Sequence, residues 1–198
     1  MVYVEIVGLD GAGKSRLSGS LAHHLGDCAR LMHISLAENT CDVARIVSVS
    51  DSVSAITRAF GYMAAHSEVY DILSSDFDSI EYLIGDRGYA CFHAYQYQCP
   101  AKVIDELWSI AMRGLFPDLL VFLDTPVWLC QERIVRRRNP SVIDKKPASF
   151  HRAVRKRYLA FVDSYHRGQT LILDGTQHTS KLRRAVLKVL RSLPNPSC

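Results

Sequence analysis

Hydrophobic residues recur along this chain with two different periods. Five short runs, Val2–Val7, Leu31–Leu36, Tyr82–Ile84, Leu119–Leu123 and Leu171–Leu173, are continuous rather than alternating. Runs of that kind predict strands buried on both faces of a parallel sheet. Between them the apolar positions return at three- and four-residue steps. Leu17, Leu21 and Leu25 predict a helix that stops at Gly26. Val53, Ile56, Phe60, Met63, Ser67 and Tyr70 form a second stripe, and Val103, Leu107 and Ile110 a third. Val154, Tyr158, Phe161, Val162 and Tyr165 form a fourth, and Leu182, Val186, Val189 and Leu193 the last. Strands alternating with helices predict βαβ units, hence an α/β fold with helices covering a parallel sheet. No repeat, low-complexity stretch or linker divides residues 1–198, so one domain is expected, with Pro194–Cys198 as a flexible tail.

Composition narrows the class. At 198 residues, 48% hydrophobic and 22% charged, the chain suits a globular domain that needs neither disulfides nor a structural metal. Disordered, coiled-coil and collagen-like classes are excluded. No apolar run approaches the about 20 residues of a membrane helix, and residues 1–10 lack the pattern of a secretory signal, so no membrane association is expected. The six cysteines form no CxxC pair and never join the eight histidines at zinc-site spacing. Reduced thiols in a cytoplasmic protein are expected.

The net charge of +4 is mild, but its distribution is not. Arg133, Arg136, Arg137, Arg138, Lys145, Lys146, Arg152, Arg155, Lys156 and Arg157 face a single acid, Asp144, across one short stretch. Acids also end four of the five runs: Asp10, Asp86, Asp124 and Asp174. In an open parallel sheet ligands bind beyond the carboxyl ends of the strands, so these acids mark one rim as the working edge.

On that rim, Gly8 to Ser15 reads Gly-Leu-Asp-Gly-Ala-Gly-Lys-Ser and fits G-x-x-x-x-G-K-[ST] between a predicted strand and a predicted helix. Glycines let backbone N–H groups converge on phosphate oxygens, and the helix N-terminus adds partial positive charge. Lys14 suits the β- and γ-phosphates and the Ser15 hydroxyl suits Mg²⁺. Arg87, following Asp86 at a strand end, presents a fork of donors that suits an acceptor phosphate. Pairing of Asp86 with Arg87 is the plainer alternative.

These segments, with Ala94, Tyr95 and Gln96, Pro117–Asp124 and Asp174–Gln177, resemble successive motifs of the thymidylate kinase family, in that family's order and over nearly the whole chain. The resemblance implies a P-loop, three-layer nucleoside-monophosphate kinase fold with a five-stranded parallel sheet and an arginine-rich lid at about 133–150. It also implies ATP and Mg²⁺, nucleotide substrates and a homodimer. On the donor side it implies Gly11, Ala12, Gly13, Lys14, Ser15, Arg16 and Thr176, with Ser15 and Asp86 serving the metal and its water shell. On the acceptor side, Asp10 matches an acid that contacts the sugar hydroxyl, and Tyr95 an aromatic that crowds the 2′ position or, alternatively, simply packs. Tyr62 matches the base-stacking aromatic.

Arg133, Arg136, Arg137 and Arg138 fall where the lid belongs. Arg133 and Arg137, at i and i+4, are expected on one helix face as the catalytic pair. The loop itself, with Gly11 and Ala12, carries no arginine. A solvated basic helix or a nucleic-acid face is the alternative, but no aromatic interleaving supports stable nucleic-acid binding.

The chain departs from the family where specificity is set. Ala37, Glu38, Asn39 and Thr40 replace an Arg-Glu-Pro-Gly-Gly-like segment. His66 stands where an arginine usually reads the thymine carbonyl, or else it is a bystander beside Tyr62. Cys91 and Phe92 replace positions that are often polar. Buried hydrogen-bond partners dominate base discrimination, so dTMP and a related pyrimidine monophosphate both remain open as acceptor. Two other functions compete. A deoxynucleoside kinase needs a carboxylate base soon after the second strand, and only Glu38 is near. A catalytically weak nucleotide-binding regulator would keep the loop and lose the acceptor site.

Overall fold

The computed structural model describes residues 1–50, 52–137 and 141–193. Arg138 and the tail 194–198 therefore lie outside the described residues. Five strands, β1 (Val2–Gly8), β2 (Ala29–Met32), β3 (Tyr82–Asp86), β4 (Leu119–Asp124) and β5 (Gln169–Asp174), form one sheet of order β2-β3-β1-β4-β5, parallel throughout. Helices α1 (Lys14–Leu25), α2 (Cys41–Val49), α3 (Ala55–Ser74), α4 (Tyr89–Tyr95), α5 (Ala101–Ala111), α6 (Val127–Val135), α7 (Ala148–Ser164) and α8 (Thr179–Leu190) flank it. No helix among the described residues is long and apolar enough to cross a membrane. Cys28, Cys41, Cys91, Cys99 and Cys130 are free thiols.

Burial explains which runs became which strands. Neighbouring strand residues point to opposite faces. Leu83 accordingly falls in one cluster with Tyr3, Met63 and Trp108, and Ile84 in another with Val4, Leu17 and Val186. The three inner strands are buried almost throughout. The outer strand β5 is not: Ile172 is exposed and Leu171 and Leu173 are half-buried, because an edge strand is covered less completely. The second run also differs from its expectation. Its strand is Ala29–Met32, and Ile34–Leu36 turns instead into a short 3₁₀ helix capped by His33, whose Nδ1 accepts the Ser35 N–H at 3.1 Å.

Two helical stripes meet the core only in part. Val53 precedes α3, and Ile56 and Phe60 are exposed; the buried face is Ala59, Met63, His66, Val69 and Leu73. On α5, Val103 and Leu107 pack half-buried against the core as expected, but Ile110 is exposed and the most deeply buried positions are Ile104, Trp108 and Ala111. The long helix α3 is apolar around more than one face, so period alone could not choose its inward side.

The topology sets the position of the site. The connection from β1 leads toward β2 at one edge, and that from β4 leads toward β5 at the other. Strand connections that diverge in this way open a crevice at the carboxyl ends of β1 and β4.

Candidate active site

The loop after β1 is shaped by its glycines. Gly11 has φ +83°, and a Cβ there would stand 2.4 Å from the Cys130 carbonyl oxygen, so no other residue fits without displacing α6. The Ala12 N–H closes the turn onto the Leu9 carbonyl at 3.0 Å. Lys14, buried at the start of α1, donates to the Gly8 and Leu9 carbonyls at 3.1 and 2.9 Å and lies 3.6 Å from Asp10 Oδ1.

Asp10 is also the ion-pair partner of Arg87. Arg87 follows β3 with φ +74°, a strained position for a non-glycine residue, and its N–H bonds the Ile6 carbonyl at 3.3 Å. Arg87 thus pairs across the sheet with Asp10. Burial would raise the Asp10 carboxyl, but Arg87, Lys14 and Arg137 outweigh it and hold it below the usual carboxylate range. Burial opposes the Arg87 charge, and Asp10 more than restores it. Burial, helped by Arg87, lowers the Lys14 ammonium against the pull of Asp10. The site is a cation–anion–cation array set in the loop.

Asp86 lies beside this array. It is 6% exposed, and its Oδ1 has no hydrogen-bond partner. Ser15 and Arg16 are exposed on the first turn of α1. No group of three or more histidine, cysteine or acidic side chains among the described residues could hold a metal by itself.

The remaining rim acids have structural partners. Asp124 receives a two-pronged bond from Arg155 at 2.6 and 2.7 Å, tying β4 to α7. Asp174 accepts from the Thr176 N–H at 2.9 Å, the Thr176 hydroxyl at 2.7 Å and Gln177 at 2.8 Å, which fixes the turn that presents Thr176.

The arginine run divides. Arg133 donates to the Gly11 and Ala12 carbonyls at 3.2 and 3.1 Å and to Gly175 at 3.4 Å, so it ties the phosphate loop to the β5–α8 turn. Arg137 does not share its helix. α6 ends at Val135, and the Arg137 guanidinium lies 3.7 Å from Asp144.

The acceptor candidates come from two helices. On α4, Cys91 accepts from the Tyr158 hydroxyl at 3.0 Å, and burial pushes its thiol up to about 11, so it is neutral. The Tyr95 hydroxyl is buried without a partner, and burial together with Asp10 raises it well above its ordinary value. On α3, Tyr62 meets Phe92 edge-on at 5.9 Å. His66 lies 5.3 Å from Phe92 and 5.2 Å from Trp108, with Nδ1 2.9 Å from the Tyr62 carbonyl. Burial pushes its imidazole down to about 4. A carbonyl only accepts, so the neutral ring carries its proton on Nδ1.

Three groups escaped the sequence reading. Glu5, wholly buried in β1, accepts the Ala90 N–H at 3.0 Å, and burial pushes its carboxyl up to about 8. His33 follows β2, where the pairing of Met32 with Gly85 sets it beside Asp86; burial lowers its imidazole within the field of Asp86, Arg87 and Lys14. Glu68 accepts from the backbone and side chain of Asn39 at 3.0 and 2.6 Å and of Thr40 at 2.9 and 2.6 Å, clamping the segment that departs from the family. A glutamate inside an apolar strand was the available signal for Glu5. The other two depend on strand register and on contacts between distant elements.

A parallel sheet with a phosphate-binding loop after its first strand, and an arginine poised over that loop from its neighbour, defines a P-loop phosphotransferase. The thymidylate kinase family model matches residues 6–186. The chain is similar to the thymidylate kinase of Leuconostoc mesenteroides, with 27% identity over 91% of each chain, and to that of Limosilactobacillus fermentum, with 28% over 82% of each. It is also 26% identical to a probable thymidylate kinase of Metallosphaera sedula, over the whole of this chain and 96% of the relative. The chain belongs to the thymidylate kinase family, and with it to the nucleoside-monophosphate kinases.

Proposed function

We propose that the protein transfers the γ-phosphoryl group of ATP to the phosphate of dTMP, giving ADP and dTDP. The observation that carries this reading is the pairing of Arg87 with Asp10 over the phosphate loop. A cation held there meets an acceptor that already bears a nucleophilic phosphate, whereas a nucleoside would need a base to deprotonate its hydroxyl. An acceptor phosphate oxygen attacks the γ-phosphorus and the bond to the β–γ bridging oxygen breaks, so no proton has to be removed from the nucleophile.

In this reading Gly11, Ala12 and Gly13 cradle the donor phosphates, Lys14 turns from its loop carbonyls toward them, and Arg16 and Thr176 line the nucleotide. Mg²⁺, held through Ser15 and Asp86, would supply charge neutralisation on the donor phosphates; the unpartnered Asp86 oxygen supports that fit. Arg87 binds the acceptor phosphate, Asp10 and Tyr95 border the sugar, and Tyr62, His66 and Cys91 border the base. Arg133 and Arg137 flank the transferring group when residues about 133–150 close as a lid. The exposed Ile46 (63%), Ile56 (44%) and Phe60 (55%) on α2 and α3 offer apolar surface to a homodimer.

A coupled ADP-release assay across the common nucleosides and their monophosphates tests the reading. Turnover with dTMP above all nucleosides is expected. Turnover with nucleosides alone, or with none of these acceptors, refutes it.

A further inference from the structure

Glu5 has no part in the proposed phosphoryl transfer, yet it occupies the middle of the central strand with no exposure at all. A carboxyl so placed is costly unless its oxygens are used. They are used by α4. Oε1 accepts the Ala90 N–H at 3.0 Å, the neighbouring Tyr89 backbone also favours the charged carboxyl, and the Tyr3 hydroxyl lies 3.5 Å from Oε2. α4 has no side-chain cap of its own, because its N-cap residue is Gly88. A Cβ on Gly88 would stand 2.7 Å from the Tyr3 hydroxyl oxygen and 3.1 Å from the Glu5 carboxyl, so the helix start is seated directly on these two side chains.

Arg87 lies immediately before this seat. Its N–H is held by the carbonyl of Ile6, the residue after Glu5, and its φ of +74° needs support from both sides. Consecutive residues of β1 therefore grip the segment Arg87–Ala90 at both ends. We propose that Glu5 is a positioning residue for acceptor binding: by capping the first turn of α4 from inside the sheet, it fixes the backbone of Arg87 and so aims its guanidinium at the acceptor phosphate. This rests on the acceptor role given to Arg87 above.

The test compares the full-length chain with Glu5→Leu, which has no oxygen to offer, and Glu5→Gln, which keeps a carbonyl oxygen for the Ala90 N–H. Wild-type turnover of dTMP is measured first; its absence refutes the proposed function itself, whatever the Glu5 variants do. Calorimetric Kd for dTMP, which needs no turnover, is measured alongside. Glu5→Leu is expected to raise dTMP KM and Kd about tenfold or more, the effect of losing a buried hydrogen bond, with ATP KM within about twofold of wild type. Glu5→Gln is expected to restore dTMP KM to within about threefold. The inference is overturned if Glu5→Leu keeps wild-type dTMP KM, if ATP KM rises in step, or if Glu5→Gln does no better than Glu5→Leu. Should Glu5→Leu fail to fold, Gly88→Ala crowds the same seat; a selective rise in dTMP KM is expected, and an unchanged KM overturns the inference.

Discussion

His66 gives the chain a pH-dependent stability whose size follows from its surroundings. Buried beside Phe92 and Trp108 with its Nδ1–H on the Tyr62 carbonyl, the imidazole titrates at about 4 instead of the usual 6.5. The unfolded chain therefore takes up this proton more readily, and the stability His66 contributes is complete above about pH 6.5 and is lost as pH falls toward 4. The full shift corresponds to about 3 kcal/mol, of which about 2 kcal/mol is lost by about pH 5. Urea unfolding at about pH 7 and about pH 5, for wild type and His66→Gln, measures the loss. Each protein is compared with itself, so the constant cost of burying the amide cancels. The histidines His33 and His93 are also depressed by burial and titrate in both proteins, as does Glu5. Wild type should lose about 2 kcal/mol more than the variant between the two conditions. Equal losses would mean that the ring titrates as if in water, and that α3 does not enclose it.

Lys14→Ala should leave a folded protein with phosphoryl transfer down by orders of magnitude, since a cation is removed from the donor phosphates; wild-type turnover in steady-state assays would refute the loop assignment. Arg137→Ala should lower kcat more than it raises either KM, whereas Arg133→Ala should also raise ATP KM, because Arg133 holds the Gly11, Ala12 and Gly175 carbonyls together. Identical kinetic signatures would show that the two arginines are not divided as described. Arg87→Ala should weaken dTMP, dUMP and dCMP alike, by about 2 kcal/mol in kcat/KM, because a phosphate contact carries no base information; a loss confined to one base would place Arg87 elsewhere.

What could be read from the sequence was local. The phosphate loop, the Asp86–Arg87 step and the inner strands are each specified by neighbouring residues, and their residue types state their chemistry. The misreadings involve choices made between distant segments. Ile56 and Phe60 carry a helical period as good as that of His66, Val69 and Leu73, and only packing decides which face turns inward. Nothing near Asp124 announces that Arg155, on another helix, will occupy its carboxylate. The expected i,i+4 relation of Arg133 to Arg137 failed because it assumed a helix that ends at Val135.

The Asp10–Arg87 contact also bears on a cell crowded with anions. An arginine left bare at a phosphate site would be occupied by whatever carboxylate or inorganic phosphate is abundant. Here the chain supplies its own counter-ion, tethered at an effective concentration on the order of millimolar or more. A free anion offering a single weak contact must compete with that resident carboxylate at every encounter. A nucleotide brings a doubly charged phosphate together with a sugar and a base, and so outcompetes it through several contacts at once. If Arg87 takes the acceptor phosphate as proposed, Asp10 sets a threshold that makes the pocket selective even before any base is read.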